Sequence, residues 1–470
     1  MKRLFALLLL LAGCAAGPDY ERPAAPSSDA FKETPAGWKE AEPRDEIARG
    51  QWWEIFGDAE LNALVEKIDV SNQSLAASEA QFRQAQAAIN AARAPLLPTL
   101  DADASITRSR SPTGLVGGTT AGRIITQRSA SLVANWEIDL WGRIRRQVEA
   151  AEASASASAG DLAAARLSLQ AQLMTDYFQL RLLDVQKKLL DDTVAAFRKS
   201  LELTNNRYKA GVAAKADVVQ ADAQVKSTLT QAADLGVQRA QLEHAIAILT
   251  GVPPSQLSIE AKPTYDAALP AIPPGLPSTL LERRPDIAAA ERRVAAANAQ
   301  IGAAKAAFFP QLTLNAQYGF RSADAASWFT SPSHFWSLGP ALAQSLFDAG
   351  LRRAQTEQAM AAYDATVANY RQTALTALQE VEDNLAALRV LGEEAKLQQD
   401  SLDAARLSLE LTLNQYKAGT VSFLNVVTVQ ASLLNEERNA VNILNRRLAA
   451  TVALVRAIGG GWQPASARRP

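Results

Sequence analysis

Two periodicities alternate along the chain. Apolar positions recur near every 3.6 residues through two long stretches, and switch to every second residue just before each of them. The long stretches hold no proline: none lies between Pro112 and Pro253, and none between Pro340 and Pro464. Proline inside a helix removes a hydrogen bond and clashes with the preceding turn, so these gaps predict helices. Both are rich in Ala, Leu, Gln, Glu, Arg and Lys, the strong helix formers. Gly211 and Gly419 are the breaks, suited to the left-handed residue just past a helix C-terminus. The predicted helices are Arg143–Lys209 and Ala214–Thr250, then Leu351–Lys417 and Phe423–Ile458. At 1.5 Å per residue the longer ones reach on the order of 100 Å, too long for one globular core, so they must lie side by side. Ala150–Ala165, mostly Ala and Ser, suits close packing between helices across a shallow surface, the plainer reading being high-propensity, low-complexity helix.

The period-2 runs predict strands. Leu100, Ala102, Ala104 and Ile106 alternate with Asp101, Asp103, Ser105 and Thr107. Ala130, Leu132, Ala134, Trp136, Ile138 and Leu140 alternate with polar partners that include Glu137 and Asp139. Leu312, Leu314, Ala316, Tyr318 and Phe320 form a third run, and a weaker fourth holds Trp336, Leu338, Leu342 and Leu346. Gly/Ser/Thr-rich loops, Ser109–Arg123 and Ser322–Ser333, join each pair. Such runs fit half-buried soluble hairpins or transmembrane strands of about 9–11 residues, apolar outward and polar inward. The membrane reading is favoured: Asp101, Asp103, Glu137 and Asp139 suit a watery lumen, and Trp136, Trp141, Tyr318 and Trp336 suit interfacial girdles. Four strands cannot close a barrel, and an open edge is not tolerated in lipid, so the chain is expected to oligomerise. A dimer would give eight strands, filled by side chains; a trimer would give twelve and an open lumen.

The chain is also internally repeated. LELTNNRYKAG at 201–211 and LELTLNQYKAG at 409–419 share nine of eleven residues at an offset of 208, and Val218-Val219 and Gly251 fall on Val426-Val427 and Gly459. A repeat this long implies two copies of a large module. The predicted organisation is a signal peptide over 1–13, a lipid anchor and extended linker over 14–50, and a first repeat over 51–260. That repeat would hold a short helix, two strands, a long helix, a YKAG tip and a second short helix. An inter-repeat linker over 261–285, a second repeat over 286–462 and a tail over 463–470 follow.

Charge and composition narrow the chemistry. With 48 basic and 49 acidic residues the chain lacks a nucleic-acid footprint. Its 2 histidines, His244 and His334, are far apart, so no metal site is expected. No phosphate-binding loop or nucleophile elbow is present, so no catalytic residue is assigned and no enzymatic activity is expected. Lys2-Arg3 and the apolar Leu4–Ala12 form a targeting segment too short to span a bilayer. It ends in Leu11-Ala12-Gly13-Cys14, a lipobox pattern that uses the only cysteine, so Cys14 is expected to carry covalent lipid and no other cofactor is expected. The alternative is a chance cysteine beside an ordinary cleavage site. Ala15, rather than Asp, follows it, which by resemblance to lipoprotein sorting signals favours the outer membrane.

Gln51-Trp52-Trp53, Phe56-Gly57-Asp58 with Leu61, Gly17-Pro18-Asp19-Tyr20, Asp139-Leu140-Trp141-Gly142-Arg143 and the run Glu282–Leu314 resemble lipid-anchored outer membrane efflux proteins of the TolC/NodT type. The resemblance covers Leu11 to Trp462 and is most specific over Arg283–Leu314. It implies a mixed α and β membrane protein: a homotrimeric, twelve-stranded β-barrel in the outer membrane, continued by a long periplasmic α-helical barrel. It also implies a periplasmic adaptor and an inner-membrane transporter of the resistance-nodulation-division type as partners, and a channel that conducts small molecules such as drugs outward.

The resemblance further places function at the hairpin tips. Tyr416 matches the family's gate tyrosine, placed to hydrogen-bond a neighbouring helix. Asn425 and Thr428 fall where some relatives carry aspartates that ring the pore mouth, and Val421 where some carry arginine; this chain departs at all three. Lys209-Ala210-Gly211-Val212 and Lys417-Ala418-Gly419-Thr420 would face the adaptor, the plainer role of the lysines being favourable charge at a helix C-terminus. Asp217, the first-copy counterpart of Asn425, suits a carboxylate at a helix N-terminus. Competing readings are an outer membrane exit duct for proteins and a structural envelope lipoprotein without a channel, which would need no alternating strands.

Overall fold

A computed structural model describes residues 16–26, 30–33, 51–110, 124–266, 269–270, 272 and 283–460. Cys14, most of the first predicted strand-joining loop and the 463–470 tail lie outside the described residues. In chain order the elements are a 3-10 turn (Trp52–Phe56), α1 (Ala59–Ser71), α2 (Gln73–Arg93), β1 (Thr99–Arg110), β2 (Ile124–Ile138), α3 (Arg143–Lys209), α4 (Lys215–Leu249), α5 (Pro285–Ala306), β3 (Gln311–Ser322), β4 (His334–Ala343), α6 (Leu351–Ala418) and α7 (Phe423–Ala457). The four helices predicted from the proline gaps are all present, with ends within one residue of the expected ones. α1 and α2 are separated by a single residue, Asn72, whose side chain accepts from the Leu75 amide at 2.9 Å and starts the second helix.

The described residues form two compact units. One contains 16–24, 81–110, 124–159 and 289–370; the other contains 25–26, 30–33, 51–80, 160–266, 269–270, 272, 283–288 and 371–460.

The first unit carries the sheet, an antiparallel meander in the order β1-β2-β3-β4. Its register sorts the alternation into two faces. Leu100, Ala134, Ala316 and Leu338 form one cross-strand row, and Ala102, Leu132, Tyr318 and Trp336 form the next. On the opposite face, Asp101 pairs with Val133, then Gln317 and Ser337, while Thr99, Asn135, Asn315 and Gly339 form another row. The apolar face is uncovered in the single chain: Leu100 is 70% exposed and Trp336 69%. β1 and β4 are the edges, each paired on one side only. The weak fourth run stops short of its expected end. Ala343 pairs with Gln311, the first residue of β3, so no backbone partner remains for Leu346.

Two of the carboxylates expected to line a lumen instead hold the base of the sheet. Asp139 lies past the end of β2 and caps α3, accepting from the amides of Ile144 (3.1 Å) and Arg145 (2.9 Å). Glu137 takes a bidentate pair from Arg143 at 3.0 and 2.6 Å, and a further bond from Gln311 at 2.7 Å. Trp141 donates to the Pro310 carbonyl at 2.8 Å and stacks on Phe309, with ring centroids 4.7 Å apart. The DLWGR sequence is therefore a strand-to-helix joint.

The segment that follows Cys14 in sequence is strapped to the same unit. Ala16 N–H donates to Trp141 O (2.9 Å), and buried Arg146 binds Asp19 (3.0 Å) and the Ala16 carbonyl (3.3 Å). Asn298 donates to Pro18 O (3.1 Å), and Tyr20 hydrogen-bonds Glu291. Gly17 has φ +100°, and a Cβ there would lie 2.4 Å from the Gly302 Cα. The Gly-Pro-Asp-Tyr signature is thus a docking sequence in which glycine is needed twice over, for conformation and for contact.

The second unit holds the main apolar core, centred on Trp52, Phe56, Leu61, Ile68, Leu173, Met174, Tyr177 and Phe178. Trp52 is buried with its indole N–H on Gln170 Oε1 at 3.1 Å. Gly57 ends the 3-10 turn at φ +66°, and Asp58 caps α1, accepting from Glu60 N (3.0 Å) and Leu61 N (3.2 Å). Its other oxygen accepts from the hydroxyls of Tyr177 (2.8 Å) and Tyr265 (3.0 Å). Fully buried Arg181 lies over the Tyr177 ring and donates to Glu60 (2.5 Å) and to the Glu260 carbonyl (2.6 Å), which ties the segment after α4 to the core. A buried guanidinium is tolerated because it is paired and hydrogen-bonded. The two shorter hairpin helices end alike. Asn72 donates to Leu249 O (2.8 Å) at the end of α4, and Arg284 to Ala457 O (3.0 Å) at the end of α7, each satisfying a carbonyl the helix leaves orphaned.

Burial alone would raise the Asp58 pKa, but hydrogen bonds from Tyr177, the Leu61 amide and Tyr265, with the charge of Lys262, hold it below the ordinary carboxylate value. Since the folded value lies below the unfolded one, Asp58 stabilises the fold at neutral pH, and that stabilisation is lost as pH falls below about 4. Asp58→Ala should cost roughly 1–3 kcal/mol through the lost cap and two orphaned hydroxyls. It should also reduce the drop in thermal stability on acidification, followed by circular dichroism of the detergent-solubilised protein at neutral and acid pH. Undiminished acid sensitivity in the variant would assign that effect to other groups.

Candidate functional site

The candidate site is built from two helix ends in the second unit. α3 ends at Lys209 and α6 at Ala418, each in the same C-terminal closure. Val212 N donates to Arg207 O (2.9 Å) and Gly211 N to Tyr208 O (2.9 Å); Thr420 N donates to Gln415 O and Gly419 N to Tyr416 O, both at 3.0 Å. Gly211 and Gly419 have φ +77° and +79°, as a Schellman closure requires of its C′ residue. Lys209, Gly211, Lys417 and Gly419 are all exposed. After each turn a new helix begins with a different device. The Asp217 carboxylate accepts from the Ala214 amide at 3.3 Å in the first turn of α4. In α7 the matching Asn425 uses only its backbone there, donating to Ser422 O at 3.2 Å.

Tyr416 is the buried centre of this region, 4% exposed, whereas its first-copy counterpart Tyr208 is 41% exposed. It packs in a cluster with Ala221, Phe423, Val426 and Val427, its ring centroid 5.5 Å from that of Phe423. Its hydroxyl lies 3.2 Å from Thr204 Oγ1 on α3. Thr204, fully buried, already donates to Ser200 O at 2.9 Å, so Tyr416 is the donor between the two. The expected hydrogen bond to a neighbouring helix is therefore present, made within the chain. Gln430, also buried, donates to Ser200 Oγ at 3.1 Å one turn further along α3.

Asn425 and Thr428 are not part of this cluster. Both are exposed, and the Thr428 hydroxyl turns back to its own helix at Leu424 O (3.0 Å). Leu424 beside them is also exposed. Two contributors had no place in the sequence reading, Thr204 and Arg207. Arg207 donates to the carbonyls of Tyr416 (3.1 Å) and Lys417 (3.4 Å), with its guanidinium 4.8 Å from the Tyr416 ring centroid. The sequence did carry a signal for Arg207, which is one of two positions in the eleven-residue match that differ between the copies.

The arrangement fastens two helix ends together through non-covalent contacts. Its polar contacts are a hydroxyl pair and a guanidinium on helix-end carbonyls, which can break and reform without covalent change. Among the described residues no cluster of His, Cys, Asp or Glu is placed to hold a metal ion, and no helix is long and apolar enough to cross a membrane.

Known proteins resemble the whole chain. Its sequence matches the family model for outer membrane efflux proteins over residues 64–252 and 276–460. It is 33% identical over 466 residues to the pyoverdine export outer membrane protein OpmQ of Pseudomonas aeruginosa, covering 98% of this chain and 96% of that one. It is 33% identical over 457 residues to the toluene efflux pump outer membrane protein TtgI of Pseudomonas putida, covering 97% of each. Its structure superposes on that of the outer-membrane channel OprN with a TM-score of 0.88 at 31% identity, covering 96% of this chain and 100% of the other. The matched ranges contain both strand pairs, all four long helices and both tips, and the chain belongs to the outer membrane efflux protein family.

Proposed function

We propose that this chain is the outer membrane channel of a tripartite efflux pump, passively conducting small molecules that an inner-membrane transporter of the resistance-nodulation-division type and a periplasmic adaptor deliver to it. The observation that carries the reading is the sheet: one apolar face left uncovered, one polar face, and two unpaired edges. In lipid every backbone N–H and C=O needs a partner, so such a sheet is viable only when copies close it into a barrel. Three copies supply twelve strands, enough for a water-filled lumen lined by the polar rows. The exposed apolar residues of α6, Leu397, Leu407 and Leu411 among them, would be covered by neighbouring copies of the long helices. The channel itself performs no covalent chemistry. Small molecules rather than proteins are the proposed cargo, in keeping with the pyoverdine and toluene named for the relatives.

Each site residue takes a part in this reading. Lipid on Cys14 anchors the chain to the outer membrane, and the Ala16–Tyr20 segment that follows it in sequence is docked at the base of the sheet. The tips at Lys209 to Val212 and Lys417 to Thr420 meet the adaptor. Tyr416 holds the second tip closed, while Asn425 and Thr428 face the conducted solution near the aperture, which lacks the acidic ring and the arginine link of some relatives. The internal two-fold repeat then gives the trimer six tips of two kinds.

The purified protein should run as a trimer in detergent and show both helix and strand by circular dichroism; a monomer without strand signal would remove the channel reading. Radiolabelled fatty acid should enter the wild-type protein and not Cys14→Ala, and label persisting in the variant would place the lipid elsewhere. Tyr416→Phe, which deletes the hydroxyl donated to Thr204, should raise leak conductance in planar bilayers several-fold. Wild-type conductance in that variant would discount the hydroxyl as a closure element.

A further inference from the structure

The two copies of the tip sequence differ at two of eleven positions: Asn205 against Leu413, and Arg207 against Gln415. Both differences bear on the contrast between the two tyrosines, as does Phe423, which packs on Tyr416 and has Lys215 as its first-copy counterpart. Leu413 packs against the cluster that buries Tyr416. Arg207 reaches across from the first copy to the second tip and lies over the same ring. Nothing mirrors this in the other direction, since position 415 is glutamine and Tyr208 stays exposed.

The chemistry of the contact is specific. The last carbonyls of a helix have no intrahelical donors and carry the negative end of its dipole. Arg207 brings a cation and a directed N–H to two of them, Tyr416 O and Lys417 O, at the end of α6. Its guanidinium face rests on the Tyr416 ring, 4.8 Å from the centroid. Its Nε is buried without a hydrogen-bond partner, so part of the group has given up water to make this contact. Thr204, three residues earlier, lies on the same face of α3 and receives the Tyr416 hydroxyl. The two side chains grip the end of α6 at consecutive points, ring edge and backbone. The Arg207 backbone meanwhile closes its own tip, its carbonyl accepting from Val212 N at 2.9 Å. One residue therefore ends the first helix and fastens the second.

We propose that Arg207 is the latch of the closed state: a positioning residue on the first hairpin that holds the Tyr416 tip through its helix-end carbonyls and ring. The inference rests on the channel reading above. It assigns the fastening to the first hairpin, and it makes Arg207, matched by Gln415 in the second copy, one source of the asymmetry between the tips.

The test substitutes the residue the other copy already carries. Arg207→Gln should leave trimer formation and circular dichroism unchanged, since glutamine occupies the equivalent place at the second tip. Two measurements follow, in the full-length lipidated trimer. Planar-bilayer leak conductance should rise roughly tenfold, the scale expected for losing a hydrogen bond to a charged donor. In a spin-labelled pair at Lys209→Cys and Lys417→Cys, the tip-to-tip distance distribution should broaden and lengthen. A wild-type protein that conducts, with both readouts unchanged in Arg207→Gln, would overturn the latch and leave the channel reading intact. A wild-type trimer that never conducts, even when its tips are freed, would overturn both. Conductance that rises while the tip distances stay fixed would also count against the latch, because the charge alone would then be acting on ion flow.

Discussion

The rest of this structure depends on the need of a sheet's backbone for partners. β1 to β4 pair with one another, but among the described residues no further strand pairs with the outer edges of β1 and β4, and the face bearing Leu100, Leu132, Tyr318 and Trp336 is exposed. Water can satisfy the edges and lipid can cover the face, yet no single environment does both for an isolated chain. Closure by further copies resolves the conflict. The proposed trimer is therefore a consequence of hydrogen bonding first, and of conduction only second. The joints at the sheet's base serve the same end: Asp139, the Glu137–Arg143 pair and Trp141 hold the strands and the helices that leave them in one geometry.

A second constraint acts at the far ends of the helices. A helix as long as α3 or α6 satisfies its own interior but leaves orphaned carbonyls at its C-terminus. Both tips resolve this locally with a left-handed glycine. Only the second tip is also resolved by the other, through Arg207 and Thr204. A tip fastened by a few polar contacts, on an exposed turn, can be held or released at modest energetic cost. The core around Trp52, Asp58 and Arg181 is its opposite: the carboxylate is shared by two tyrosines and two amides, and removing it would take the acceptor from all four donors at once.

Comparison of sequence and structure shows which signals are local. Helix extents were legible because proline and left-handed glycine act on the backbone where they stand, so α3 runs over the residues expected of it. Strand identity was legible because apolar and polar residues alternate with the period of a pleated strand, which places them on opposite faces. Strand ends were not: β4 stops at Ala343 because its partner begins at Gln311, a fact about another part of the chain. The split between α1 and α2 was missed because one asparagine side chain makes it. Glu137 and Asp139 were read as lumen carboxylates from alternation alone, whereas an arginine and a helix N-terminus claim them.

By itself the sequence determined the long helices, the alternating strands, the glycine turns, the family and the choice of Tyr416, because each rests on periodicity, backbone preference or a contiguous signature. Only the tertiary structure decided what surrounds that tyrosine. It buried Tyr416 and left Tyr208 in solvent, set Thr204 and Arg207 on it from more than two hundred residues away, and turned Asn425 and Thr428 outward. The physical reason is that hydrogen bonds and burial are made between faces of different helices, and the pairing of those faces follows from packing that no local pattern encodes.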